Sequence, residues 1–170
     1  MVSFPQAVIT CMKTKLLKVE GRAPRSEFWW FILFSVLASL VLNILLIIPF
    51  LGAIIMLVGE VWLLIASITV TARRLHDRDL SGWWMLAPYA LMTGGLIAGF
   101  LVALVFPDIG SILMLFLTSV GALSYIVLLV VLILKGTEGP NRFGPDPLTA
   151  FELPHAAASE GENGDSSLGA

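Results

Sequence analysis

Three short stretches hold most of the residues in this chain that could do ionic or acid–base chemistry. The first is Gly21-Arg22-Ala23-Pro24-Arg25-Ser26-Glu27-Phe28-Trp29, and the second runs from Arg73-Arg74-Leu75-His76-Asp77-Arg78-Asp79 to Trp83-Trp84. The third, Lys135-Gly136-Thr137-Glu138-Gly139-Pro140-Asn141-Arg142-Phe143-Gly144-Pro145-Asp146-Pro147, combines charge with turn-forming residues. Arginine's planar fork can pair with a carboxylate or grip a phosphate at two points at once. Arg22, Arg25, Arg73, Arg74, Arg78 and Arg142, with His76, Asp77 and Asn141, are therefore candidate ligands for an anionic lipid or a phosphorylated molecule. The same arginines meet Glu27, Asp77, Asp79, Glu138 and Asp146 within short loops, which favours salt bridges locking the three stretches into one cap. His76 next to Asp77 would suit acid–base work, since imidazole titrates near neutrality and a carboxylate can orient it, but sequence neighbours need not touch. A fourth candidate stands apart: Glu60, in an otherwise apolar stretch, where an ionisable group costs a few kcal/mol or more.

Several chemistries have no support in the residues. The single cysteine, Cys11, excludes an intramolecular disulfide, and one His in this region without a nearby Cys matches no established zinc spacing. No glycine-rich phosphate loop, nucleophile elbow or pair of catalytic carboxylates is visible, so no catalytic residue, cofactor or metal is expected. Nucleic-acid binding has nothing in its favour beyond the presence of arginine.

The elements that must position these residues are membrane helices. Of the 170 residues 58% are hydrophobic and only 13% charged, with mean hydropathy +0.93; soluble domains carry about 25% charged residues. Phe28 to Gly59 is a stretch of 32 residues without a charge, too long for one span of roughly 20. A break at Pro49-Phe50-Leu51-Gly52 divides it, because proline lacks a donor and glycine tolerates unusual dihedrals. Spans are expected near 28–48, 52–72, 83–106 and 111–134, the last two separated by a turn at Pro107-Asp108-Ile109-Gly110. The expected fold is all-α, an integral membrane four-helix bundle of two transmembrane hairpins preceded by a segment 1–27.

All ten basic residues fall before the first span, between the second and third, or after the fourth. Basic residues collect on the cytoplasmic side, so both termini and the central loop should be cytoplasmic, with Trp29-Trp30 and Trp83-Trp84 at that interface. The alternative is a re-entrant bend at Pro49-Phe50, which would move the C-terminus outside. Residues 148–170, with Glu152, Glu160, Glu162 and Asp165 and no Lys or Arg, read as a disordered acidic tail. Near the other end Phe4, Val8, Cys11, Met12 and Leu16 loosely follow helical spacing, a weak signal for an interfacial helix.

Within the spans, Ser35, Ser39 and Asn43 form a stripe at every fourth residue, and with Ser67 and Thr71 they could satisfy Glu60. Gly95 and Gly99 make a Gly-x-x-x-Gly match, which serves close helix packing inside the monomer or a homo-oligomer interface. Ser111, Thr118, Ala122 and Tyr125 suggest a second packing seam on the fourth span.

In order and spacing, the three polar stretches resemble the small bacterial inner-membrane proteins of domain-of-unknown-function family 805, over about residues 19–147. The resemblance implies a four-span domain of the bacterial cytoplasmic membrane and supplies no established activity, substrate or catalytic residue. Where that family often has glycine after its Arg-Leu-His-Asp plus one position, this chain has Asp79. Three roles follow: a non-enzymatic protein binding anionic lipid or a partner through the arginine-rich cap, a small proton- or cation-coupled transporter or channel using Glu60, and a membrane enzyme resting on His76 and Asp77 alone.

Overall fold

The computed structural model describes residues 2–149. The acidic tail from Ala150 onward, with His155, lies outside the described residues. Four helices are long and apolar enough to cross a membrane: Arg25–Ile47, Leu51–His76, Gly82–Ala103 and Pro107–Ile133. No strand occurs among the described residues beyond an isolated bridge between Asn141 and Gly144. The chain is an all-α integral membrane protein. It divides into two compact units, one of residues up to Asp79 together with the chain from Gly136, the other Leu80–Lys135.

In the first unit a short helix α1 (Phe4–Ile9) runs on through a wider π turn at Thr10–Thr14. Ala7 and Cys11 are buried here, with Val2 just before the helix, a face offset from the expected one, because α1 packs on the side of α2 (Arg25–Ile44). Phe4 meets Trp30 and Phe34 edge-on. Pro24, extended at φ −67° and ψ 161°, caps α2, as suits a residue whose missing N–H costs nothing there.

Helix α3 (Leu51–His76) returns antiparallel to α2: Glu27 faces Arg73, Ser39 faces Glu60 and Leu42 faces Gly59, pairs whose numbers sum to about the same value. A single turn of 3-10 helix, Leu45–Ile47, leads into the reversal. The reversal itself is a γ-turn. Leu51 N donates to Pro49 O at 2.7 Å, with Phe50 held at φ +63° and ψ −58°. Gly52 then lies so close to the Leu45 carbonyl that no Cβ would fit, which explains glycine at the foot of the turn. Hydrocarbon-facing Leu, Ile and Val cover both helices outside the seam, as a span in lipid requires.

In the second unit a 3-10 turn at Gly82–Leu86 precedes α4 (Ala87–Ala103), which carries Pro88 in its first turn. Helix α5 (Pro107–Ile133) starts on Pro107, with Asp108 favourably placed in the first turn beside the positive helix end. The two form an antiparallel hairpin with a glycine seam. Gly95 backs onto Leu117 and Thr118, Gly99 onto Met114, Gly110 onto Ala103 and Gly121 onto Met92. At none of these four is there room for a Cβ, so the backbones approach closely. Gly95 and Gly99 are thus filled by α5 of the same chain. Of the second expected seam, Thr118 and Tyr125 face α4, Tyr125 meeting Tyr89 edge-on. Ser111 and Ala122 are exposed, and Gly110 and Gly121, one position away, take their places.

Candidate functional site: a buried arginine cap

The polar end of the first unit is built from three pieces: the extended lead-in Gly21–Pro24 with the start of α2, the last turn of α3, and the irregular chain from Gly136 to Asp146. Ala23 N donates to Arg73 O at 3.0 Å and Thr137 N to Asp77 O at 2.8 Å, so each flanking piece docks on the end of α3 through its backbone.

Asp77 is the centre. Its carboxylate accepts from Arg22 Nε at 3.0 Å and from Arg74 Nη1, and all three side chains are buried. Arg22 then spends its remaining donors on carbonyls of the third piece, Gly139 O at 2.6 Å and Thr137 O at 2.5 Å. Arg74 Nη1 also reaches Ala23 O at 3.5 Å. A second pair lies alongside: Arg73 Nη1 donates to Glu27 Oε1 at 2.5 Å, both groups buried. Cys11 bridges this pair, its Sγ 3.6 Å from Arg73 Nη2 and 3.8 Å from Glu27 Oε1. Burial first, and the neighbouring Glu27 carboxylate second, push the Cys11 thiol up to about 11, so it stays protonated near neutrality.

Three buried guanidiniums face two buried carboxylates. Removing charges from water is expensive, and mutual attraction offsets that only when the remaining donors are bonded. The carbonyls of Ala23, Thr137 and Gly139 do this for Arg22 and Arg74, compensating the extra positive charge with backbone dipoles, whereas Arg73 Nε is buried without a hydrogen-bond partner among the described residues. Gly136 is required on steric grounds: a Cβ there would overlap the Asp77 carboxylate.

His76 and Asp77 turn to different partners. The imidazole stacks flat on Phe143, with centroids 3.9 Å apart and planes at 3°, and its Nδ1 lies 3.2 Å from Gly21 O. Arg142 covers the same Phe143 ring at 4.7 Å and pairs with exposed Asp79 at 3.1 Å. The His–Asp geometry that would support acid–base catalysis is therefore not formed. Asn141 is a connector: its side-chain amide donates to His76 O at 2.9 Å and Thr137 Oγ1 at 3.0 Å, while its Oδ1 accepts from Phe143 N. Asp79 sits at φ +57°, a conformation natural to glycine and tolerated by aspartate.

Of the nine candidate ligands, then, Arg22, Arg73, Arg74 and Asp77 are consumed inside the cap, and His76, Asn141 and Arg142 hold its third piece. Arg78 is half-buried. Arg25 is exposed and set beside a cavity, a groove of about 410 Å³ lined with Ser26, Trp29, Trp30 and Leu33. Glu27, Cys11 and Thr137 are the structural partners absent from the candidate set. Glu27 was visible as a potential ion-pair partner, whereas nothing in the sequence marks Cys11 as the contact of a buried arginine. Among the described residues no cluster of three or more His, Cys, Asp or Glu could hold a metal ion. Glu60 lies far from the cap, its Oε2 accepting from Ser39 Oγ at 3.1 Å.

No solved structure matches the chain. It is 31% identical over 131 residues to the inner membrane protein YhaI of Escherichia coli, covering 75% of this chain and 84% of that protein. It is likewise 31% identical to the E. coli inner membrane protein YhaH, over 75% of this chain and 85% of the relative. Residues 16–145, which include the buried ion pairs of the cap and all four membrane-spanning helices, match the family described as "Protein of unknown function (DUF805)", and the chain belongs to that family.

Proposed function

We propose that this is a non-enzymatic protein of the bacterial inner membrane whose basic end faces the cytoplasm and binds anionic lipid head groups at its rim. The observation that carries the reading is the groove of Arg25 with Trp29 and Trp30. An exposed guanidinium can pair with a phosphate at two points, and the two indoles, each about two-fifths exposed, suit the head-group depth of a bilayer. The buried arginines serve this site indirectly, by fixing the start of α2 from which Arg25 projects. The inner-membrane assignment is supported by the relatives, and the orientation by the distribution of basic residues.

Native mass spectrometry of the purified protein released from micelles containing phosphatidylglycerol and phosphatidylethanolamine tests this. A basic residue at an anionic surface contributes about 1 kcal/mol, so Arg25→Ala should lower retention of phosphatidylglycerol several-fold. Arg142→Ala, whose partner is Asp79, should leave it unchanged. Equal retention in wild type and Arg25→Ala would overturn the reading.

A further inference from the structure

Between Phe28 and Ala72 the α2–α3 hairpin carries one ionisable side chain, Glu60. It stands nine residues into α3, about 13 Å along the axis from the turn. An ion in that position needs partners, because hydrocarbon supplies none. Ser35, Ser39 and Asn43 face it from one side of α2, and Ser67 lies two turns further along α3; all five line one groove of about 380 Å³.

The hydrogen bonds in this groove consume donors and leave oxygens. Ser39 donates to Glu60 Oε2, Ser35 to Ile32 O, and the Asn43 amide to Ser39 O. Among the described residues nothing donates to Glu60 Oε1, Asn43 Oδ1 or the serine hydroxyl oxygens. The groove is thus rich in acceptors, with a single negative charge, in a span lacking any other ionisable group.

We propose that this groove binds a monovalent cation, with the Glu60 carboxylate as its charged ligand and Ser39 Oγ and Asn43 Oδ1 as neutral ones. Charge decides the valence: one carboxylate neutralises one positive charge, whereas calcium and magnesium sites draw on several oxygens and commonly more than one carboxylate. Ligand type decides the chemistry, since hard oxygens without sulfur or imidazole suit an alkali cation such as sodium. Asn43 is exposed and is the next-to-last residue of α2, so the groove leads from the hairpin turn to Glu60. The site is independent of the head-group groove at the other end of the hairpin.

The test is carbodiimide labelling of Glu60 in the full chain reconstituted in liposomes, read by mass spectrometry. Dicyclohexylcarbodiimide attacks protonated carboxyls in apolar surroundings, so a bound cation protects. Labelling is followed over a range of pH in sodium, potassium or choline chloride at equal ionic strength. Protection by sodium at constant pH, about tenfold when sodium is roughly ten times its dissociation constant, identifies a sodium site. Labelling that falls as pH rises, indifferent to sodium and potassium alike, is the titration of any carboxyl and overturns the cation site. In the sodium case Asn43→Ala should weaken protection while Glu60 stays reactive, and Glu60→Gln abolishes labelling in either case. Labelling independent of both pH and cation, or none at all in protein shown by circular dichroism to be folded, overturns the proposal and leaves Glu60 as a hydrogen-bonded strut between two helices.

Discussion

At the residue scale, the cap turns on Asp77. Two buried guanidiniums, Arg22 and Arg74, point at its carboxylate. Asp77→Asn keeps the shape and removes the charge, so it should cost about 3–5 kcal/mol, the usual penalty for stranding a buried ion, read as a lower thermal midpoint in detergent. Cys11 yields a pH prediction. Its thiol is raised in the folded protein, so the protonated form belongs to the native state; that contribution is fully present below the unfolded thiol's ordinary value near 9 and is lost as pH rises through about 11. Alkylation of Cys11 by iodoacetamide should accordingly be slow at pH 8 in folded protein and fast after unfolding, and equal rates would contradict the buried Arg73–Cys11–Glu27 arrangement.

The sequence shows which residues are charged but not which way they face. Arg22 and Arg25 are three residues apart, both before the first apolar run, and look equivalent. They differ because Pro24 ends the extended lead-in and starts the helix: Arg22 turns under the cap and Arg25 projects from the first turn of α2. Which carboxylate each arginine takes was likewise open, since it depends on α3 running four residues beyond the apolar stretch, to His76.

At the scale of elements, charge-free runs and their proline breaks made the four helices legible, because hydrocarbon leaves a backbone few alternatives to a helix. The tight seam between α4 and α5 was legible only in part. Gly95 and Gly99 carry a recognisable spacing, whereas Gly110 and Gly121 are isolated in sequence and acquire meaning only from the partners they meet. Helix α4 supplies its own control. A Cβ on Gly99 would collide with Met114, while one on Gly94 would meet nothing within 4 Å. Gly99→Ala should destabilise the hairpin by roughly 1–3 kcal/mol, and Gly94→Ala should be neutral or slightly stabilising, as alanine favours helix. Denaturant melts of the two variants in one detergent check this, and equal effects would contradict the seam.

At the scale of the whole molecule, ten basic residues gathered at the loops and termini invite the reading of a broad anion-binding face. Burial divides that set: Arg22, Arg73 and Arg74 lie buried in the cap, and Arg25 is exposed, as the proposed head-group site requires. Arginine modification by a dicarbonyl reagent, mapped by mass spectrometry on the folded protein in detergent, tests this division most directly. Arg25 and Arg142 should react readily, while Arg22, Arg73 and Arg74 stay protected until the protein is unfolded. Modification of Arg73 and Arg74 as fast as Arg25 would contradict the buried cap and return all of the arginines to the ligand-binding surface.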